Sequence, residues 1–383
     1  MQTSDFDYNL PKELIAQSPV SPRDSSRMMV VDRITKTIRH RQFHDIINYL
    51  QAGDLLVWNN SKVFKARLQG KVMLDQASDN IDDKKEANLD LTDRILNMPT
   101  VEIFLLRPME NFGVWKVLAK PGRKLRLGMK IVFAEDFYCE VLLKEKDGTV
   151  LVEFQEDDMS VRAKANQYGQ VPTPPYIKDL KTKDLENDYQ TIYAKHEGSV
   201  AAPTAGFHFT PELIEKLKNQ GIEFAEVTLH VGLGTFQPVK TDKVEKHQMH
   251  SEYVELTASN ADLINQAKAD GRRVVAVGTT TVRTLEGVAQ LSLRACLSGK
   301  QGAEGDEAIL LKPHTGDINL FITPGYEFKI IDALITNFHL PKSTLLMLVS
   351  ALVGDRKFML DCYQQAVEAN YRFYSFGDAM FIN

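Results

Sequence analysis

The chain has little cysteine, no long apolar run and none of the short spacings that announce a metal or a dinucleotide. Its three cysteines, Cys139, Cys296 and Cys362, stand far apart and make no ligand spacing. A disulfide-stapled scaffold is therefore excluded, and a reducing cytoplasm is the simplest home. The most apolar stretch, TLLMLVSALVG from Thr344, is too short to span a bilayer and is broken by Ser350. The opening residues, MQTSDFDYNLPKELIAQSP, carry acids where a signal peptide needs a basic start and an apolar run, so no membrane association is expected. HxH and HExxH are absent, which argues against a metal site, and GxGxxG is absent too.

What is present is ordinary in bulk and segregated in detail. The 383 residues, 43% hydrophobic and 25% charged, suit a globular protein of two domains. A net charge of −5 argues weakly against a nucleic-acid partner, but the sum hides local patches. Between Lys116 and Phe133 stand Lys116, Lys120, Arg123, Lys124, Arg126 and Lys130 with no acid. Between Ser61 and Lys71 stand Lys62, Lys65, Arg67 and Lys71, again with no acid. Opposing them, Asp75 to Asp93 holds seven carboxylates and two lysines.

Two styles of sequence alternate. From about 62 to 154 the chain reads as short β-rich runs (VEIFLLRP, VWKVLAK), with a hairpin at Lys146-Asp147-Gly148-Thr149. Such runs predict a small barrel or sandwich, with an acidic, solvated insertion at about 75–97. Elsewhere strands (MMVVDRI, DLLVWNN, GIEFAEVTLHV, RRVVAVG, FKIIDALIT) alternate with helical patterns. The expected fold is therefore an α/β main domain, 1–61 plus 155–383, with an inserted small β-barrel domain at 62–154.

In open α/β sheets ligands settle beyond the carboxyl ends of strands, where loops lead into helix N-termini. Four such junctions carry unusual residues. In RRVVAVGTTTVRTLEGV, Thr279, Thr280 and Arg283 could seat a carboxylate, phosphate or ribose, or could be a threonine cap with a surface arginine. In DALITNFHLPKS, Asn337 and His339 occupy the loop before a helix capped by Ser343; His339 could bind a ligand or simply pack. In FAEVTLHVGLGTF, period two puts Glu226, Thr228 and His230 on one face and Ala225, Val227, Leu229 and Val231 on the other. Gly232 and Gly234 then admit close backbone approach, and Glu226 either pairs with a neighbour or serves a site. In APTAGFHFTPELI, Thr210 and Pro211 start a helix behind a loop in which Gly206 leaves room and His208 is the leading site histidine. His250 and Glu252, in MHSEY, could join it.

Together APTAGFHFT, TLHVGLGTFQPV, MHSE, VGTTTVRTLE and PGYEFKIIDALITNFHLPKSTLLMLVSAL resemble the S-adenosylmethionine:tRNA ribosyltransferase-isomerase family of queuosine biosynthesis. So do DFDYNLPKELIAQSPVSPRDSSRMMVVDR and DLLVWNNSKVFKARL near the start. The acidic insertion, the segment QLSLRACLSGKQGAEGDEA and the pair Ile318-Asn319, where the family carries Thr-Asp, depart from the pattern. The resemblance implies transfer and isomerisation of the ribosyl group of S-adenosylmethionine onto 7-aminomethyl-7-deazaguanine at the tRNA wobble position, giving epoxyqueuosine and releasing adenine and methionine. It implies S-adenosylmethionine as substrate, no cofactor or metal, and a cytoplasmic, monomeric enzyme. It assigns proton transfer to His208, His230 and Glu226, with the roles of acid and base left open. The S-adenosylmethionine site would draw on Gly206, Gly232, Gly234, Thr279, Thr280, Arg283, Asn337, His339, His250 and Glu252. Lys62, Lys65, Arg67, Lys120, Arg123, Lys124 and Arg126 would hold tRNA phosphates. Two rivals stay open on residues alone: a tRNA-binding protein without catalysis, and a metallohydrolase.

Overall fold

LLVWN and VVAV show no polar alternation, as expected of strands covered on both faces. In the computed structural model, which describes residues 1–73, 99–174, 176–177, 184–232, 239, 241–249, 251–298 and 310–383, both run through the middle of a nine-stranded sheet. Leu55–Asn59, Val274–Val277, Ala333–Asn337 and Ala379–Ile382 are buried at every position. The acidic insertion expected at 75–97, Gly234 and His250 lie outside the described residues.

The chain divides into two compact units, Met1–Lys62 with Pro174–Asn383, and Val63–Thr173. In the first, Glu223–Leu229, Leu55–Asn59, Val274–Val277 and Ala333–Asn337 run parallel and side by side. Antiparallel Glu252–Leu256 and His314–Ile318 extend one side. On the other, Ala379–Ile382 runs antiparallel to Ala333–Asn337 and parallel to Arg27–Asp32, with Thr37–Gln42 at the edge. Alternate residues of each central strand feed two separate cores. Leu55, Val57, Val274, Ala276 and Leu334 enter one; Leu56, Trp58, Val275, Val277 and Ile335 enter the other.

Local chemistry starts the helices where expected. The Thr210 hydroxyl accepts from Leu213 N–H at 3.2 Å, with Pro211 as the first residue of Pro211–Asn219. Ser343 accepts from Leu346 N–H at 3.2 Å and caps Thr344–Val353. One strand is shorter than expected: FKIIDALIT yields only Ala333–Asn337. The cause is Glu286, fully buried on helix Thr279–Ser298, whose carboxylate accepts from Lys329, Ile330 and Ile331 N–H at 2.9, 3.0 and 3.1 Å. Those donors are thereby withdrawn from any ladder.

The second unit is a closed six-stranded antiparallel barrel, as expected for the β-rich region. Its order is Val150–Phe154, Val114–Lys120, Thr100–Pro108, Arg67–Met73, Lys130–Ala134, Phe137–Lys144, which then returns to the first strand. Trp115, Phe137, Phe154 and Val117 fill the interior. Val114–Lys120 and Lys130–Ala134 stand on opposite sides of the ring, so the connection 121–129 crosses one end. Leu125 is buried there, while Arg123, Arg126 and Leu127 face solvent.

Candidate active site

The carboxyl ends of the parallel strands open into a pocket, the place where ligands settle in open α/β sheets. Three junctions build it: Val231 past Glu223–Leu229, Gly278–Thr280 past Val274–Val277, and Thr336–Leu340 at the end of Ala333–Asn337. Ala202–Ala205 and the pair Tyr374-Ser375 complete the wall with Tyr176. Gly278, at φ +89°, turns the chain directly from strand into helix, so the threonines form the first helical turn and Arg283 falls in the second. Thr281 and Thr284 hydroxyls donate to the carbonyls four residues back, at 2.7 and 3.0 Å. Thr280 differs: its hydroxyl is buried, lines the pocket and has no partner among the described residues.

Of the residues picked out from sequence, Thr279, Thr280, Asn337 and His339 line this pocket. The imidazole of His339 meets the Thr336 hydroxyl at 2.9 Å, and burial lowers its pKa to about 3.

His208 stands behind the wall. It faces a smaller recess lined by Pro19, Val20, Arg23, Phe207 and Phe376, stacks on Phe43 with ring centres 4.9 Å apart, and is 4% exposed. Its Nδ1 lies 2.7 Å from the Ser26 hydroxyl and its Nε2 lies 3.4 Å from the Asn337 amide nitrogen. Burial, reinforced by Arg372 and Arg23, lowers its pKa to about 3. Both buried imidazoles are thus neutral near pH 7. Asn337 connects the two spaces: its amide also donates to the Tyr374 carbonyl at 3.0 Å and its oxygen meets the Thr204 hydroxyl at 3.5 Å.

The remaining described residues of that set do not line this pocket. The space at Gly206 goes to Tyr193, whose hydroxyl would lie 1.9 Å from a Cβ there, so this glycine admits a neighbouring ring and not a ligand. Glu226 does not line the pocket; it pairs with Lys195 Nζ at 2.6 Å and accepts from the Asn60 amide at 3.0 Å. Burial pushes its pKa up, but Lys195 and Asn60 outweigh that and hold it below the usual carboxylate range. Arg283 and Glu252 form a buried ion pair, with Nε and Nη2 of Arg283 left unpartnered among the described residues. His230 stacks on Tyr253 at 6.0 Å beside the pocket-lining Val231, and a Cβ on Gly232 would meet nothing within 4 Å.

Sequence reading missed Tyr176, Tyr374 and Ser375. Tyr374 takes φ +73°, a conformation rare for an aromatic residue, and lies against Tyr176 with ring centres 4.3 Å apart. The aromatic cluster YRFYSFGD was the available signal; the backbone angle left none.

On the barrel, Lys120, Arg123 and Arg126 are exposed, whereas Lys116 is held by Glu145 at 2.6 Å and Asp147 at 3.1 Å, and Arg67 lies 3.7 Å from Glu102. Lys65 is part-buried and Lys62, in the first unit, is exposed; the side chain of Lys124 lies outside the described residues. Among the described residues no group of three or more His, Cys, Asp or Glu side chains could hold a metal. None of the described helices is long and apolar enough to cross a membrane.

A profile of the family described as queuosine biosynthesis protein matches residues 3–382. An S-adenosylmethionine:tRNA ribosyltransferase-isomerase of Thermotoga petrophila is 49% identical over 383 residues, covering all of both chains. One of Desulfitobacterium hafniense is 48% identical over 384 residues, again with full coverage. Among solved structures, S-adenosylmethionine tRNA ribosyltransferase from Thermotoga maritima matches at 39% identity and a TM-score of 0.52, over 99% of this chain and 100% of that one.

Proposed function

The chain belongs to the queuosine biosynthesis protein family as an S-adenosylmethionine:tRNA ribosyltransferase-isomerase, and from that premise we propose the reaction it performs. It moves the ribosyl group of S-adenosylmethionine onto the amine of 7-aminomethyl-7-deazaguanine at the tRNA wobble position. Adenine and methionine depart, and the ribose becomes the epoxycyclopentanediol of epoxyqueuosine. The observation that carries this reading is the pocket at the strand ends, where the N-terminus of Thr279–Ser298 and the unpartnered Thr280 hydroxyl await a polar ligand.

A sulfonium acidifies the hydrogens on its attached ribose carbon, so a neutral base beside it starts the chemistry. Burial keeps His208 neutral, and its Nε2 lies 3.4 Å from the amide of the pocket-lining Asn337. His230, next to the lining Val231, is the second imidazole proposed for proton transfer. Glu226, held charged by Lys195, has no proton to give near neutrality, so the donor to departing adenine would be the imidazole that has taken up the ribose proton. Thr279 and Thr280, at the pocket, suit ribose hydroxyls. Lys120, Arg123 and Arg126 supply charge for tRNA phosphates.

The test is incubation with tRNA bearing the precursor base and S-adenosylmethionine, in excess chelator, followed by mass measurement of the digested nucleosides. Epoxyqueuosine with free adenine is expected, chelator notwithstanding. Recovery of unmodified tRNA, or of a methylated base, would sink the reading.

A further inference from the structure

The proposed substrate is a cation, yet the described lining of its pocket offers no counter-charge. Among the described residues lining it there is no carboxylate, lysine or arginine, and its histidine, His339, is kept neutral by burial. The nearby carboxylates are engaged elsewhere: Glu252 with Arg283, Glu226 with Lys195. An unsolvated sulfonium in such a place needs another source of negative potential.

The pocket does have aromatic rings. Tyr176, Phe338 and Tyr374 all contribute to its lining. Tyr374 is fixed by its backbone: its N–H donates to the Phe338 carbonyl at 3.2 Å and its own carbonyl accepts from Asn337 at 3.0 Å. Those bonds hold it at φ +73°, a conformation a tyrosine adopts at a cost, and such strain concentrates at ligand sites. Its ring lies against Tyr176, whose hydroxyl is fastened to Ser375 Oγ at 2.6 Å. The Tyr374 hydroxyl is buried without a partner among the described residues, and burial raises its pKa, so the group stays an uncharged phenol.

Resting on the function proposed above, we propose that Tyr374, backed by Tyr176, is the specificity-determining residue that seats the sulfonium against an aromatic face. The ring quadrupole attracts a cation close to its face and has no such attraction for a neutral sulfur of the same shape. The pocket thereby separates S-adenosylmethionine from its neutral thioether counterpart, S-adenosylhomocysteine, without a carboxylate. A carboxylate beside the sulfonium would oppose removal of the adjacent ribose proton, because it stabilises the cation and not the ylide-like charge that forms. A polarisable ring holds the cation and adds no net negative charge.

Calorimetric titration of the full chain with each ligand tests this, on the wild type, Tyr374→Phe and Tyr374→Leu. The wild type should prefer the sulfonium by about tenfold or more. Tyr374→Phe, which keeps the ring, should retain most of that preference. Tyr374→Leu should lose it, with sulfonium affinity falling about 10- to 30-fold and thioether affinity moving less than about twofold. Equal losses for both ligands would show that the ring only fills space and would overturn the proposal. So would a wild type that binds the two ligands equally, an outcome that needs no variant to fold. A wild type that binds neither ligand would instead strike the proposed function itself.

Discussion

Arg283 and Arg126 carry the same guanidinium and live under opposite rules. Arg283 is 5% exposed and pinned to a buried Glu252; Arg126 stands in solvent on the connection that crosses the barrel's end. The same division runs through both units. Beside the pocket, charge is paired or suppressed: Glu226 has Lys195, and two imidazoles are held neutral. On the barrel's crossing connection, Arg123 and Arg126 are exposed, with Lys120 at its start. In the proposed function the pocket handles protons and a sulfonium and cannot tolerate stray charge in a low dielectric, whereas the barrel, proposed to meet phosphates, works only through accessible charge.

The sharpest way to break this contrast is to remove one half of the buried pair. Arg283→Leu removes the ion-pair partner of the buried Glu252 carboxylate, and should cost about 3–5 kcal/mol by denaturant unfolding. Arg126→Leu should stay within about 0.5 kcal/mol. A comparable loss at both sites would erase the distinction.

Next in size is His208. Its replacement by Ala should lower turnover about a hundredfold or more while tRNA affinity holds. Unchanged turnover would make the loop Ala202–Phe209 a lead-in to a helix and nothing more.

The neutral imidazoles also set a pH dependence. His208 and His339 have folded pKa values lowered to about 3 from 6.5, so below 6.5 the unfolded chain binds protons that the fold refuses. Stability should therefore fall as pH drops from about 6.5 toward 3, by up to about 1.4 kcal/mol per pH unit for each imidazole. Unfolding free energies measured across that range, with His208→Asn as comparison, check it; the variant's slope should be shallower.

The smallest effect belongs to the barrel. Neutralising Arg123 and Arg126 should reduce the slope of log affinity against log salt by about one unit per lost phosphate contact. Turnover at saturating tRNA should barely move, since uniform binding is what disappears. A drop in turnover without a change in salt slope would place these arginines in the chemistry.

Much of the scaffold was legible because it is written locally. LLVWN and VVAV are apolar throughout because both faces are covered, and Thr210-Pro211 and Ser343 start helices through bonds spanning three residues. The strand ends could be ranked as ligand sites on topology alone, and Thr279, Thr280, Asn337 and His339 are indeed at the pocket. What could not be read is who meets whom across long separations. Glu226 finds Lys195, Glu252 finds Arg283, and the hydroxyl of Tyr193 enters the space at Gly206. His208 was conspicuous by its company of small residues, but the wall between it and the main pocket is tertiary. Tyr374 was invisible for a different reason: nothing in a tyrosine's identity announces a left-handed backbone.

The placement of Ala379–Ile382 between Ala333–Asn337 and Arg27–Asp32 bears on how the molecule is born. The barrel's strands run from Arg67 to Phe154 and are all available once that stretch has left the ribosome. The main sheet must wait. Its strand Arg27–Asp32 emerges early but borders Ala379–Ile382, which at about 5–20 residues per second follows the barrel by roughly ten to forty-five seconds. Throughout that interval one edge of Arg27–Asp32, with its apolar Met28–Val31, has no neighbour, and a nascent chain in that state is a natural client for chaperones. The order of synthesis thus lets the barrel mature first and leaves the pocket, with Asn337 on the strand beside the late arrival, to form last.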